Sequence, residues 1–493
     1  MLESILMSIS AARLGRLAIP VLVYGAASSI CFGQGTPLTQ GTVVTGQCNG
    51  RTKEPSCVLP NLFGPTGLTL FSGGAFPHYA HFIGSAQTTL NQTLSSAIAT
   101  QLAILPIISP SSGFTYKYNS AAGAFERTTS SFGPIYTERA ETIGRGKFSV
   151  GVSYQRFRFQ NLDGIDLKKV PAVFSHVPDT GPNGSSPTYE ADVISTQNSI
   201  DLKMDQTMLY GTVGITDRLD ISAAIPIVSV RMSASSAANI IRVSGPTFVL
   251  PGVGTLPNPH SFDAGGSLSS VYGSSGSATG LGDITLRAKA NIFSNNAIRV
   301  ALALDVRTPT GDARQLLGSG ATGIKPFVAI SGGKRISPHL NLGYQWNGSS
   351  ILGGDVTGTK VSEDATGAVV IQNGPALKSS LPSQLFYSLG ADVGVTKGLT
   401  LAFDYLGQAL FDAPRVFETT FNTQNIPGGT GSLSLPTISG GKDNVGLNSG
   451  AVGFKYNLFG KLLLTADLLF RLDNKGLRQD VTPLVALSWA FGQ

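Results

Sequence analysis

Charge is scarce in this chain. Asp, Glu, Lys and Arg make up 13% of its 493 residues, about half the usual share for a soluble domain. The formal charge of +6 is spread without a compact basic run, which gives no footing for a nucleic-acid partner. Past residue 33 no apolar run reaches the roughly 18 residues that a membrane helix needs. Histidine is rare too: of His78, His81, His176, His260 and His339, only the first two lie close together. No cysteine or carboxylate cluster completes a metal set around them. There is no phosphate loop, nucleophile elbow or zincin pattern. The Gly-rich "GLGD" leads into no helix, so it is no dinucleotide fingerprint. No serine is singled out by spacing as a partner for His339. No enzyme activity, metal or cofactor is expected.

What the chain has in quantity is glycine, 60 residues, within a composition that is 42% hydrophobic. Its start reads as an export signal covering residues 1–33. Arg13 and Arg16 precede the apolar "LAIPVLVYGAASSI", and "CFG" ends at Gly33. Cys31 sits where a lipid-anchor cysteine could stand, but Ile30 before it fits that processing poorly. If Cys31 leaves with the signal, Cys48 and Cys57 remain, and in an exported chain they are expected to form a disulfide.

"LGDITLRAKANIF" (281–293) alternates Ile284, Leu286, Ala288, Ala290 and Ile292 with Asp283, Thr285, Arg287, Lys289 and Asn291. A strand sends successive side chains to opposite faces, so one face is apolar and the other charged. The pattern recurs at 298–307, 339–346, 385–395, 399–405, 462–471 and 485–491. Short links at 214–220, 294–297, 332–338, 395–399 and 457–462 alternate with long Gly/Ser/Pro-rich ones, as at 232–278 and 348–381. Tight periplasmic turns and longer outer loops require that alternation; a soluble sandwich does not. The reading is an all-β protein, a transmembrane antiparallel up-and-down barrel of about 12 strands (12–14) occupying 145–493. Residues 34–144 form a pre-barrel segment. Within it "TLNQTLSSAIATQLAIL" spaces Leu90, Leu94, Ala97, Ile98, Leu102 and Leu105 as one helical stripe over about 84–105, and a hairpin follows at 113–129. The helix either packs on the wall or plugs the lumen.

In a barrel the apolar face meets lipid, so the charged face lines the lumen. That makes Asp283, Arg287, Lys289, Arg299, Asp305 and Arg307 a lumenal ladder. A turn centred near Asn295 sets Ile292 opposite Ile298, Asp283 opposite Arg307, and Arg287 diagonal to Asp305. Phe157, Phe159, Phe327 and Phe386 also fall on inward positions and are the candidate contacts for an apolar solute.

Several stretches resemble the outer-membrane proteins grouped as the phenol meta-degradation pathway family. These are "SFGPIYTERAETIGRGKFSVGVSYQRFRFQNLDGIDL" (131–167), "GITDRLDISAAIPI" (214–227), "TGLGDITLRAKANIF" (279–293), "LDVRTPTGD" (304–312) and "VTPLVALSWAF" (481–491). That family is related to the fatty-acid and aromatic-hydrocarbon outer-membrane transporters. The resemblance implies a bacterial outer-membrane channel for passive uptake of small hydrophobic or aromatic solutes, and carries no binding residue with it. The alternative is a structural or surface-interaction barrel without specific transport. Expected partners are outer-membrane lipid and lipopolysaccharide, the barrel assembly machinery and a small apolar or aromatic solute.

Overall fold

Why the strands close on themselves follows from where their apolar residues lie. In a computed structural model of the chain, Leu286, Leu342, Leu389 and Trp489 are between 46 and 55% exposed, while Lys289 and Asp392 are 0% exposed. Such an inversion is stable only if lipid surrounds the sheet. The structure describes residues 47–71, 82–110, 113, 115–119, 124–127, 129, 131–176, 192–243, 245–250, 254–333, 335–363, 369–423 and 433–491. All of them belong to one unit, Thr45–Gln493. The export signal lies outside the described residues.

Twelve antiparallel strands form the barrel: β1 (Phe148–Phe159), β2 (Val193–Gly214), β3 (Leu219–Ile241), β4 (Thr285–Ser294), β5 (Ile298–Arg307), β6 (Gly323–Gly332), β7 (Ile336–Asn347), β8 (Gln384–Gly394), β9 (Leu399–Asn422), β10 (Ser434–Phe459), β11 (Leu462–Arg471) and β12 (Val481–Phe491). Each pairs with the next in sequence, and β12 closes on β1 through Trp489 opposite Val150 and Phe491 opposite Phe148. Closure removes the open edges that hydrocarbon cannot satisfy. β4 is preceded by an outer arm, Ser269–Leu281, which also pairs with β3. β2, β3, β9 and β10 run for 22 to 26 residues, about twice what a crossing needs. Their surplus rises on the long-loop side as a partial wall.

The β4–β5 register differs from the sequence expectation by two residues. Arg287 faces Asp305 directly and Thr285 faces Arg307, and a bulge between Asn291 and Phe293 shifts the pairs nearest the turn. Because the shift is even, the side chains up to Asn291 keep their faces, while at the bulge Ile292 and Phe293 both turn outward.

The helix of the pre-barrel segment is inside. Ile83–Ala86, a π-helical Gln87–Leu94 and Ser95–Leu102 form a continuous helix. Its Leu90, Leu94 and Ile98 share one apolar cluster with Phe157 of β1, Met204 of β2, Val228 of β3 and Val416 of β9. Those strands lie on opposite walls, so the helix fills the outer lumen rather than packing on the outside. Cys48 and Cys57 are joined by a disulfide. The expected hairpin pairs Tyr116–Asn119 with Ala124–Arg127.

Candidate functional site

Residues 131–144 run through the lumen at the end of the short turns as a strap, neither helix nor strand. Buried backbone without helix or ladder bonds must find other partners for its N–H and C=O groups, and the barrel's inward side chains supply them. Thr400 Oγ1 accepts from Phe132 N (2.9 Å), and Asp404 Oδ2 from Ile135 N (3.1 Å) and Tyr136 N (3.0 Å). Asn341 accepts from Glu138 N through Oδ1 and donates to Glu138 O through Nδ2, both at 2.7 Å. Further along, Ser331 Oγ accepts from Ala140 N and Asp220 Oδ2 from Ile143 N, each at 2.9 Å. These acceptors sit on β9, β7, β6 and β3, so the strap crosses from wall to wall. Room for it is made at two glycines. A Cβ at Gly390 would lie 2.4 Å from Asp404 Oδ1 and 3.0 Å from Thr137 Oγ1, and one at Gly453 would lie 2.7 Å from Ile135 Cδ1.

Glu138 is the electrostatic centre of the strap. Its carboxylate receives Lys289 Nζ at 2.7 Å, Arg287 Nη1 and the Ser109 hydroxyl. Burial raises its pKa, but Lys289 and Arg287 outweigh burial and hold the carboxyl well below the usual carboxylate range. Lys289 Nζ also donates to the carbonyls of Arg139 (3.1 Å) and Glu141 (2.7 Å). Glu141 pairs with Arg299 at 2.9 Å.

The six ladder residues therefore all point inward, but they do not pair only with one another. Arg287 grips Asp305 through Nε (2.6 Å) and Nη2 (2.9 Å). Arg307 stands 3.7 Å from Asp283, whose carboxylate also accepts from the Gly311 and Ser319 backbone. Lys289 and Arg299 turn to the strap. Sequence reasoning missed Glu138, Glu141 and Lys325, the last 3.0 Å from Asp305. A signal was present: the ladder carries two more cations than anions, and "TERAE" (137–141) stands just before the first strand.

His339 has neighbours that spacing did not reveal. Its Nδ1 is 2.8 Å from Ser331 Oγ and its Nε2 contacts Asp392. The serine is capped by Ala140 N, and none of the three lines the cavities described next. The trio holds the strap.

Between helix and strap lies a cavity of about 180 Å³. Its upper wall is Leu102, Ile104 and Ile107, and its floor carries Glu138, Arg287 and Asp305. Phe327 and Phe386 flank it, edge to face at 6.0 Å. Arg287 lies 5.0 Å from the Phe327 ring centre and Lys325 4.8 Å from that of Phe386, each a cation on an aromatic face. Phe157 and Phe159 are elsewhere, stacked at 5.8 Å beside a smaller cavity of about 50 Å³. The four inward phenylalanines thus form two separate pairs.

No curated protein sequence matches the chain significantly. Among solved structures, an outer-membrane channel from Pseudomonas putida F1 is similar over 71% of this chain and 98% of its own, at 13% identity and a TM-score of 0.37. The monoaromatic hydrocarbon channel CymD is similar over 70% and 88% (10% identity, TM-score 0.30). A mutant of a further monoaromatic hydrocarbon channel, TodX, is similar over 79% and 97% (11% identity, TM-score 0.30). Residues 190–381 match the model of the family described as putative MetA-pathway of phenol degradation, and so the chain resembles that outer-membrane family, as its motifs imply.

Proposed function

We propose that the protein is an outer-membrane channel for passive uptake of small hydrophobic or aromatic solutes, held closed by its own N-terminal segment. The observation that carries this reading is the chamber on the barrel axis. At about 180 Å³ it exceeds the roughly 150 Å³ of an apolar protein cavity that takes up one benzene. Its apolar wall and paired aromatic edges suit a ring, and the helix above and strap below are the parts that must move for passage. The similar structures described as monoaromatic hydrocarbon channels agree with the reading without deciding it. Outer-membrane lipid and lipopolysaccharide surround the barrel, and the assembly machinery inserts it. Single-channel recording and solute flux in proteoliposomes test the function. Conducting events that a small aromatic solute blocks at saturating concentration support it. A barrel that never conducts, even with the segment before β1 deleted, supports the structural alternative, which the filled lumen favours.

A further inference from the structure

On the outside of the barrel, three adjacent strands carry cations in register. Arg158 of β1 stands opposite Lys203 of β2, and Lys203 opposite Arg231 of β3. Their neighbours Phe159, Met204 and Val230 are buried on the lumenal side, so by alternation the three cations project outward. Each lies about ten residues along its strand from Phe148, Val213 or Ile221, which pair at the short-turn end. That is the length of one crossing. The row therefore marks the outer edge of the hydrocarbon, with Val152, Leu209 and Ile227 exposed beneath it. Near the same end of other strands the exposed outward residues are apolar, as at Ile324, Trp346, Phe470 and Val481. Like charges directly opposite one another across a sheet repel, and nearby carboxylates do not neutralise the row. Asp205 is taken by Arg156 Nε at 2.7 Å and by the Tyr154 hydroxyl at 2.6 Å. Asp201 is shared by Lys203 at 2.6 Å and Lys168 at 3.5 Å, and Asp166 accepts from Lys168 N at 2.9 Å. These five cations thus meet three carboxylates. The guanidinium groups of Arg158 and Arg231 have neither an ion pair nor a hydrogen bond among the described residues.

We infer that this row is a seat for a phosphate group of lipopolysaccharide in the outer leaflet. The inference rests on the barrel's placement in an outer membrane and not on solute passage. An arginine fork holds a phosphate through paired, charge-assisted N–H bonds. Two strand spacings separate Arg158 from Arg231, roughly 10 Å, a gap that two long side chains close onto one phosphate. A phosphate set there also offsets the repulsion that Lys203 meets from both sides. The saccharide of the same molecule stays on the polar side, and its acyl chains lie along the apolar band beneath. A phospholipid of the inner leaflet carries its phosphate at the opposite end of these strands, beside the short turn 214–220.

The test is native mass spectrometry of the full chain in detergent micelles. The probes are diphosphorylated lipid A, the same lipid A with its phosphates removed, and inorganic phosphate alone. Wild type is expected to retain diphosphorylated lipid A and to bind the other two far more weakly. Replacing both arginines, Arg158→Gln with Arg231→Gln, should weaken lipid A binding by roughly thirtyfold. Arg145→Gln with Arg218→Gln removes the same charge from exposed positions at the short-turn end and should leave binding unchanged. The first pair carries no ion pair or side-chain hydrogen bond among the described residues, so its barrel should keep heat-modifiable migration. Equal binding of the two lipid A forms, a double variant that binds as wild type does, or equal loss in both double variants overturns the inference and leaves the uptake reading standing. Inorganic phosphate bound as tightly as lipid A overturns it in favour of a soluble anion. Recovery of the native protein from a soluble fraction overturns the membrane placement itself.

Discussion

Replacing Glu138 with glutamine keeps the shape of the strap and removes the charge at its centre. Two buried cations depend on that charge unequally. Arg287 retains both bonds to Asp305. Lys289, fully buried, loses its 2.7 Å carboxylate partner and is left with weaker contacts that include two carbonyls and the Asp220 carboxylate at 3.9 Å. Removing one member of a buried ion pair costs about 3–5 kcal/mol, and the surviving contacts place this case at the lower end. About 3 kcal/mol lost from docking shifts the docked-to-released ratio of the strap by roughly a hundredfold. The barrel pairs are untouched, so Glu138→Gln should still migrate as a heat-modifiable barrel. Its strap should become cleavable by added protease at Arg139, and open events should become more frequent in planar bilayers. Acid should act in the same direction. The folded Glu138 pKa lies below its unfolded value, so its contribution is complete above the ordinary glutamate range and is lost as pH falls through the folded value. Wild type should therefore stay closed at pH 5 and open only in strong acid, whereas Glu138→Gln should be open at both. A variant as protease-resistant and as quiet as wild type would show that the ionic centre does not hold the strap.

Three further outcomes follow from the same geometry. Leu286→Arg puts a charge on the lipid face and should cost roughly 2–4 kcal/mol of barrel stability, read as a lower urea midpoint for loss of the heat-modifiable band. Arg287→Ala, one residue away on the lumenal face, should insert normally and change ion selectivity; the reverse pair of results would mean the faces are inverted. Deleting residues 36–110 should raise conductance only in part because the strap remains, and extending the deletion through 142 should raise it further; equal conductance of the two would mean the strap does not obstruct the lumen. Cys48 and Cys57 should each gain one alkyl group by mass spectrometry only after reduction. Cys48→Ser should loosen the fold around the closed loop by roughly 2–3 kcal/mol on the chain-entropy account, seen as faster proteolysis near Arg51.

Period-two alternation was enough to place the membrane crossings, because lipid outside and polar side chains within impose it on every crossing, but it read 232–278 as a loop where β3 runs on to Ile241 and the outer arm begins at Ser269. It assigned the faces of Leu286, Arg287, Leu304 and Asp305 as the structure has them. Loop parity supplied the even strand count and the up-and-down order. The helical stripe Leu90, Leu94, Ala97, Ile98 and Leu102 was legible for the same kind of reason, a period of 3.6 with one buried side. Register was less legible. The β4–β5 bulge depends on how one turn relaxes, and no residue spacing encodes it.

What pairing across the lumen does lay beyond the sequence. Lys289 meeting Glu138 joins positions separated by 151 residues, and nothing local in either segment names the other. "TERAE" reads alone as an ordinary polar linker; only the closed barrel makes it the charge that two buried cations require. Nor does the sequence rank its inward phenylalanines, since parity treats Phe157 and Phe386 alike while curvature of the wall sends them to different cavities. The fold class follows from repetition along the chain, which each strand carries by itself. The site follows from closure, which brings opposite walls within reach of one strap and exists only once all twelve strands have paired.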